Sequence, residues 1–331
     1  MKEDRKTKSS ISESFAEINP ELARLWLHVP SDWRRPGASA AYDIYWKDDL
    51  DFGQILPRPT PNQIADFYEA DDYYTHRATA KHATTGSDLF WRILVHLAWR
   101  VDQSVEPDVD WWRTTLGAKP RRILEIGCGN GENLKLIQGL GHEVEGVEPD
   151  PHARTVALEA GLSVHAGTGE LLPSELTGKT YDLIVFMHVL EHCLDPVAAI
   201  QNARNLLAPN GCVVVEVPNN SCRGAKVFGN EWHWIDAPRH LNFFTEKSLT
   251  TLLQSQGLLV QESVYRGYTR QFLPSWAETQ RLISQRFGQN KPHKWRSYLK
   301  YFLQTLKSPA SRKYDSIRVT AFRSEERYLH R

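Results

Sequence analysis

From residue 116 onward, short apolar or alternating runs are separated by segments with helical spacing. The runs cover residues 121–126, 143–150, 162–165, 181–187 and 212–217. Each has the length of a β-strand, and the segments between them have the length of a helix. Alternating strands and helices predict a parallel, doubly wound α/β sheet.

Three closely spaced glycines follow the first of these strands. Gly127, Gly129 and Gly131 form a GxGxG string at the start of the next helix. Glycines at this place allow close approach of a ligand to the backbone, and the helix start offers unpaired N–H groups. The dinucleotide fingerprint is GxGxxG. The shorter spacing, with the acidic Glu125 before it, favours S-adenosylmethionine over NAD.

The second strand ends in a carboxylate about twenty residues beyond the glycines, where a ribose-binding acid is expected. This residue is Glu148, and Pro149 follows it. A carboxylate can accept hydrogen bonds from both ribose hydroxyls of an adenosyl group. We therefore predict that Glu148 and Pro149 lie at the cofactor.

Residues 121–323 resemble the class I S-adenosylmethionine-dependent methyltransferases. The matching segments are 125–131, Glu148, 189–196 and 206–211. The resemblance implies a Rossmann-like sheet of seven strands with helices on both faces, the last strand being antiparallel. Strands six and seven would then lie within 257–266 and 315–323.

The resemblance also implies further cofactor contacts. Thr168 and Gly169 would lie beside the adenine ring, and the segment that begins at His188 would line the methionine end. The implied activity is methyl transfer to a hydroxyl or carbon of a small molecule, either sugar-like or a secondary metabolite. A methyltransferase-like binding protein without activity and a nicotinamide-dependent oxidoreductase are the alternatives.

Residues 1–115 form an N-terminal extension that we predict to be mainly helical, with a short hairpin at 42–46 and 52–59. The extension resembles the leader of bacterial sugar methyltransferases that carry a zinc knuckle. The knuckle cysteines are missing here, so we expect no zinc at that place. Residues 116–331 form the cofactor-binding domain, with a helical insertion at 271–313.

The segment after the fifth strand is rich in side chains that suit an acceptor site. Residues 230–244 contain two tryptophans, two histidines and an arginine, and they follow the carboxyl end of a strand. His240 is the first candidate for a general base and His233 the second, with Tyr74 at the mouth of the site. In the alternative, His240 holds the loop closed, Tyr74 is a packing aromatic, and Arg239 pairs with a buried carboxylate.

His188, Glu191 and His192 match the HxxEH pattern of a zinc-binding helix. The pattern directly follows an apolar strand, at the place that the resemblance gives to the cofactor. We therefore predict no metal, and a site formed by these three residues is the alternative.

Composition adds four expectations. Lys and Arg total 40 and Asp and Glu total 40, so no net charge attracts nucleic acid. The four cysteines form no CxxC pair, so we expect them to be reduced. No apolar leader or run of about 20 apolar residues is present, so we expect a cytoplasmic protein. A basic helix at 295–307 either caps the acceptor site or makes a peripheral contact with an anionic or lipid-linked substrate, unless it is simply docked on the sheet. The oligomeric state stays open.

Overall fold

The computed structural model describes residues 15–35, 37–38, 40–68, 89–289 and 295–323. Its strands, in chain order, are β1 (Arg24–Val29), β2 (Tyr42–Lys47), β3 (Phe52–Leu56), β4 (Arg122–Ile126), β5 (Glu143–Val147), β6 (Val164–His165), β7 (Tyr181–Met187), β8 (Leu207–Pro218), β9 (Asn242–Phe243), β10 (Leu258–Arg266) and β11 (Ser316–Arg323). Its α-helices are α1 (Pro61–Tyr68), α2 (Leu89–Arg100), α3 (Val109–Leu116), α4 (Glu132–Gly139), α5 (Pro151–Glu159), α6 (Pro196–Leu206), α7 (Arg223–Phe228), α8 (Glu246–Ser255), α9 (Pro274–Arg286), α10 (Trp295–Leu306) and α11 (Ala310–Lys313).

The larger sheet has seven strands in the order β10-β11-β8-β7-β4-β5-β6. The five strands from β4 to β8 pair in parallel, whereas β11 is antiparallel to both of its neighbours. The seven-stranded α/β sheet predicted from the sequence is therefore confirmed, and so is the antiparallel last strand.

Alternate residues of the central strands enter two separate cores. Leu124 and Ile126 of β4 pack in one core with residues of α6 and α8 such as Ala199 and Leu249. Ile123 packs in the other core with residues of α3, α4 and α5. Successive side chains of a strand point to opposite faces of the sheet. Helices therefore cover both faces of the sheet, as predicted. The carboxyl ends of the parallel strands are not covered by these helices, and the candidate functional site lies there.

The N-terminal extension contributes a second, antiparallel sheet of order β1-β2-β3-β9. β2 and β3 pair in antiparallel fashion, in the segments where the hairpin was predicted. The sequence analysis did not predict β1 or β9, which flank this hairpin. Before β1 the chain forms a short 3-10 turn, Pro20–Leu22, with Asn19 at its N-terminal end. β9 belongs to residues 230–244, which we call the acceptor loop. The small sheet therefore joins the N-terminal extension to this loop.

A third core lies under the small sheet. It contains buried residues of β2, α2 and α7, and of the helices between β10 and β11. The helix α10 buries Tyr298, Tyr301, Phe302 and Thr305 on one side. The part of the chain that the structure describes has no helix long and apolar enough to cross a membrane.

Candidate functional site

The loop after β4 has a backbone conformation that glycine favours. Gly127, Gly129 and Gly131 have φ angles of 70°, 54° and 79°. A Cβ atom on Gly127 would lie 2.4 Å from Cγ2 of Val189, which follows β7. Only glycine fits at this contact without moving the chain. The GxGxG string therefore forms a tight loop at the carboxyl ends of β4 and β7, where open α/β sheets bind ligands.

Glu148 follows β5 and its side chain reaches back to this loop. Its Oε2 accepts a hydrogen bond of 2.8 Å from the Gly129 N–H, and its Oε1 accepts one of 2.8 Å from the Asp150 N–H. The residue is buried, and burial raises the pKa of its carboxyl group. A carboxylate offers about four acceptor positions, so two remain for ribose hydroxyls.

Glu125 is the buried acid of β4, two positions before Gly127. Its Oε1 accepts a hydrogen bond of 2.8 Å from Nδ2 of Asn133. Its Oε2 is buried and has no hydrogen-bond partner among the described residues. Burial raises the pKa of this carboxyl group to about 8. A buried oxygen without a partner, next to a glycine loop, fits a bound group that supplies a donor.

Thr168 and Gly169 lie in the segment between β6 and β7. Oγ1 of Thr168 accepts a hydrogen bond from the Leu171 N–H at 3.1 Å, which shapes the turn. A Cβ atom on Gly169 would lie 3.0 Å from Cβ of Ala199 and 3.6 Å from Cγ2 of Ile126. The segment therefore approaches the end of β4, on the same edge as the glycine loop.

His188 directly follows β7 and has an unusual positive φ of 56°. Its Nδ1 lies 3.2 Å from Oε1 of Glu191, and its Nε2 lies 3.1 Å from Oε1 of Glu216. Burial lowers the pKa of His188, but the two carboxylates outweigh it and raise the pKa to about 9. The ring is therefore a cation at neutral pH, with both nitrogens bound to carboxylates.

Glu216 anchors this arrangement from β8. The residue is fully buried, and its carboxylate also accepts hydrogen bonds from Arg266 at 2.6 Å and Arg318 at 2.9 Å. Although burial acts in the opposite direction, its hydrogen bond with His188 and the nearby cations lower the pKa of Glu216. The sequence analysis missed this residue. Its signal in the sequence is a single carboxylate within the apolar run of β8. A buried acid requires charged or hydrogen-bonding partners, so such a position indicates a polar cluster.

Trp234 contacts two histidine rings of the candidate acceptor site. Its ring stacks on His188 at a centroid distance of 4.8 Å and faces His240 at 6.1 Å. Nδ1 of His240 lies 2.9 Å from the Trp234 carbonyl oxygen. Burial, followed by the nearby His192, lowers the pKa of His240 to about 4. The His240 ring is thus neutral at pH 7 and held in one orientation.

His192 joins the same group from the 3-10 turn after β7. Its ring lies edge to face with the His240 ring, with centroids 4.8 Å apart. Its Nδ1 lies 2.9 Å from the Arg239 carbonyl oxygen. Together with Glu191, these two histidines place one ligand atom each within 4.8 Å of one another.

His233, the second candidate base, is directed into the third core. Its ring stacks on Trp276 at 4.2 Å, and its buried Nδ1 has no hydrogen-bond partner among the described residues. Burial, followed by the charge of Arg34, lowers the pKa of His233 to about 3. Tyr74, the third candidate, lies outside the described residues.

Arg239 holds the acceptor loop to the N-terminal extension. It donates hydrogen bonds of 2.9 Å and 2.6 Å to the two oxygens of Asp32, and bonds of 3.0 Å and 3.2 Å to the two oxygens of Asp236. Arg34 pairs with Asp236 at 3.0 Å from the exposed side. Asp32, Asp236 and Arg239 are all buried. Arg239 therefore takes the alternative role considered from the sequence, in which it pairs with buried carboxylates.

Comparison with known proteins agrees with this geometry. Residues 109–263 match the family model of a methyltransferase domain. A ubiquinone biosynthesis O-methyltransferase from Cereibacter sphaeroides (strain ATCC 17025 / ATH 2.4.3) is 30% identical over 147 residues, which cover 41% of this chain and 60% of that protein. The protein of the same name from Aeromonas salmonicida (strain A449) is 31% identical over 154 residues, covering 43% of this chain and 64% of that protein.

The chain therefore matches somewhat less than two thirds of the length of these relatives. Among solved structures, a SAM-dependent methyltransferase from Archaeoglobus fulgidus overlays on 65% of this chain and 92% of its own, with a TM-score of 0.44 and 17% identity. Residues 109–263 therefore match a methyltransferase domain, and these comparisons support a class I S-adenosylmethionine-dependent methyltransferase with S-adenosylmethionine as the cofactor.

Proposed function

We propose that this chain transfers the methyl group of S-adenosylmethionine to an oxygen atom of a small-molecule acceptor. The observation that carries the proposal is the contact between Gly127 and Val189. It brings the cofactor loop against the turn that bears His188, Glu191 and His192. A methyl group presented at the glycine loop would then lie beside the polar cluster that can orient a hydroxyl.

We assign the cofactor to the residues that line the top of the large sheet. Glu148 would bind the ribose, and the unpartnered oxygen of Glu125 would accept a hydrogen bond from the bound molecule. The other proposed cofactor residues are Gly127, Gly129, Gly131, Pro149, Thr168, Gly169 and His188. His188 would act through charge, since both of its nitrogens already bind carboxylates.

The acceptor would bind between Trp234 and the cluster of Glu191, His192 and His240. His240 remains the first candidate for contact with the reacting hydroxyl, because its ring is neutral and oriented by the Trp234 carbonyl. His233 and Tyr74 remain predictions. The names of the relatives favour oxygen over carbon as the methylated atom.

Placement of the reactants supplies most of the expected rate. In-line displacement at a sulfonium methyl needs the acceptor oxygen close to the carbon, and such positioning is worth about 7–11 kcal/mol of the barrier. Help from a general base typically adds about 10²–10⁴-fold. The proposal therefore does not depend on which residue accepts the proton.

The helix α10 supports the acceptor loop and presents a second surface outward. Its buried aromatic side packs with Phe228, which precedes the loop, and with Trp232, which belongs to it. Its exposed apolar side chains are Trp295, Leu299, Leu303 and Leu306. Together with the basic Arg296, Lys300 and Lys307, they support the prediction of peripheral contact with a lipid-linked substrate. Co-sedimentation with anionic vesicles tests it, and binding that Leu299→Glu does not weaken would contradict it.

The test of the proposed function is titration calorimetry with S-adenosylmethionine, S-adenosylhomocysteine and NADH. We expect both sulfur compounds to bind and NADH not to bind. Glu148→Gln should weaken their binding by about 10–100-fold, since charged hydrogen bonds are worth about 1.5–3 kcal/mol. The control is Glu143→Gln, at the exposed start of β5, the strand that precedes Glu148. This variant should bind both sulfur compounds normally.

A screen of hydroxylated aromatic and sugar-like acceptors then tests methyl transfer. The release of S-adenosylhomocysteine is measured for each acceptor. Binding of NADH without the sulfur compounds would favour the oxidoreductase alternative. Tight binding of S-adenosylmethionine with no transfer to any acceptor would favour the binding-protein alternative.

A further inference from the structure

Three arginines, which we call the arginine cluster, lie together at the top of the large sheet. Arg266 ends β10, Arg270 belongs to the 3-10 turn that follows, and Arg318 lies in β11. Gly267 separates the first two with a φ of 82°, and a Cβ atom on it would overlap Oδ1 of Asp315. This position therefore requires glycine, and the tight turn keeps both arginines at one corner of the sheet.

The arginine cluster is joined to the candidate acceptor site through Glu216. Nη1 of Arg266 donates a hydrogen bond of 2.6 Å to Oε1 of Glu216. The same oxygen lies 3.1 Å from Nε2 of His188. Arg266 and His188 are therefore neighbours across one carboxylate oxygen, and a molecule bound beside His188 lies within reach of the cluster.

Positive charge exceeds negative charge among the buried groups of this corner. The three arginines pair with two buried carboxylates, Glu216 and Asp315, while Glu191 offsets the charge of His188. Burial, followed by the charges of the other two arginines, lowers the pKa of Arg266 to about 9. A further anion beside Arg266 would compensate the excess charge.

Arg266 has one hydrogen-bonding edge that is only half used. Its Nη2 contacts the carboxylate of Glu106, whereas its Nε is buried and has no hydrogen-bond partner among the described residues. Nε and Nη2 form the edge of a guanidinium group that binds a carboxylate or a phosphate through two parallel hydrogen bonds. Glu106 therefore occupies this edge through one nitrogen only.

Glu106 reaches Arg266 from the surface of the protein. It lies in the segment between α2 and α3, and its side chain is 55% exposed, whereas that of Arg266 is 9% exposed. Ion pairs with an exposed member contribute little to stability. An anion that bound both nitrogens would hold Arg266 more strongly than Glu106 does. Glu106 is therefore a carboxylate that a better-fitting anion can displace.

Arg270 adds a second donor at the same corner. Its hydrogen bonds to the described residues use Nε and Nη2, which bind Asp315 and Oγ of Ser316. This leaves Nη1 for a ligand, and the side chain is 25% exposed. Its guanidinium carbon lies 5.1 Å from the centre of the Trp234 ring. An acceptor in contact with Trp234 can therefore receive a hydrogen bond from Arg270.

We propose that Arg266 and Arg270 bind an anionic group of the acceptor, a carboxylate or a phosphate, and that this group displaces Glu106. The role in substrate choice rests on the proposed methyl transfer, whereas the anion site itself does not. Glu106 covers the site while no acceptor is bound. The anionic group of the acceptor then takes its place and anchors the molecule beside His188 and Trp234.

Calorimetry with matched pairs of probes tests the site. The pairs are 3-hydroxybenzoate with 3-hydroxybenzamide and glucose 6-phosphate with glucose, each titrated into the full chain in the presence of S-adenosylhomocysteine. We expect the anionic member of at least one pair to bind about 10–100-fold more tightly than its neutral partner, since charged hydrogen bonds contribute free energies of this size. The pair that shows the preference identifies the group as a carboxylate or a phosphate.

Two variants should move this preference in opposite directions. Arg266→Met should abolish it and leave the binding of the neutral probes unchanged, whereas a purely structural role would weaken both kinds of probe. Glu106→Gln should strengthen binding of the anionic probe by about 2–5-fold, the range that a half-exposed ion pair contributes. Arg113→Met and Glu262→Gln make the same charge changes at exposed positions and should bind as the wild type does.

The proposal is overturned if neither anionic probe binds more tightly than its neutral partner, or if the preference survives in Arg266→Met. Thermal unfolding shows whether Arg266→Met is folded. If it is not, the exposed position decides, and equal binding by Glu106→Gln and Glu262→Gln contradicts the proposal. Equal binding by these two variants rules out the displacement of Glu106 in any case.

The titration with S-adenosylmethionine and the acceptor screen separate this proposal from the proposed function. If S-adenosylmethionine binds and neutral acceptors are methylated as well as anionic ones, the anion site fails alone. If the anionic probes bind through Arg266 but S-adenosylmethionine does not bind, the anion site stands and methyl transfer fails.

Discussion

The proposed cofactor side and the proposed acceptor side of the site are built in different ways. On the cofactor side, Glu148 and Gly129 are 19 positions apart in the sequence, and Asn133 and Glu125 are 8 apart. On the acceptor side, Arg239 reaches Asp32 across 207 positions. Gln54 and Asn242, which link the small sheet to the acceptor loop, are 188 positions apart.

The difference shows which side depends on the rest of the fold. The hydrogen bonds of the cofactor loop join residues at most 19 positions apart, in the segment from β4 to the end of β5, so these residues can be recognised from spacing. The acceptor loop is hydrogen-bonded to the N-terminal extension, so we expect its conformation to depend on that contact. Changes on the acceptor side should therefore alter folding as well as function, and changes on the cofactor side should act mainly on binding.

The largest expected effect is that of Arg239→Met. Removing the guanidinium leaves Asp32 and Asp236 as buried charges without their main partner, which typically costs about 3–5 kcal/mol. Urea unfolding should show this loss as a lower free energy of unfolding. Hydrogen exchange should show faster exchange of the amides in the small N-terminal sheet. Arg24→Met is the control: the Arg24–Asp48 pair is 50% and 70% exposed, and such pairs contribute at most about 1 kcal/mol. Equal losses in the two variants would refute a special role for the buried bridge.

Gly127→Ala should act on the cofactor side. The residue has a φ of 70°, and the added Cβ would meet Val189 at 2.4 Å. We expect about 1–3 kcal/mol of strain and loss of detectable S-adenosylmethionine binding in calorimetry, while hydrogen exchange at the small sheet stays unchanged. Gly139→Ala, which has open space around its Cβ, should bind normally and gain about 0.5–1 kcal/mol of stability. Normal binding by Gly127→Ala would show that the loop is not the cofactor site.

A smaller effect, visible only in acid, is expected from His233→Phe. The pKa of His233 is about 3 in the folded chain, against about 6.5 when unfolded, so the folded state binds fewer protons between these values. Its contribution to stability is complete above pH 6.5 and is lost as the pH falls. Between pH 7 and pH 5 the wild type should lose about 2 kcal/mol through this residue, and the variant should not.

Urea unfolding at both pH values measures that difference. His96→Phe, at an exposed position on α2, is the control and should follow the wild type. If wild type and His233→Phe lose stability in parallel, His233 is not the buried neutral group that its surroundings imply.

The sequence by itself determined the large sheet and the cofactor side. Strand periodicity, the GxGxG spacing and the acid after the second strand are local patterns, because parallel strands bring their carboxyl ends to one edge whatever lies elsewhere in the chain. For this reason five strands were predicted from their patterns, although β8 begins at Leu207 and not at Cys212, whereas the last two strands were implied by the family resemblance. The positions of Glu125, Glu148 and Gly127 in one loop region followed from the same rule.

Only the tertiary structure decided the acceptor side. Contacts between segments far apart in sequence decide which charges Arg239 meets, which way His233 points, and that the ring of His240 packs against the ring of His192. Glu216 shows the same limit: its place in an apolar strand marked it as unusual, but its partners come from β10, β11 and the turn after β7. Such pairings are chosen by burial and charge after the chain has packed, so local spacing does not contain them.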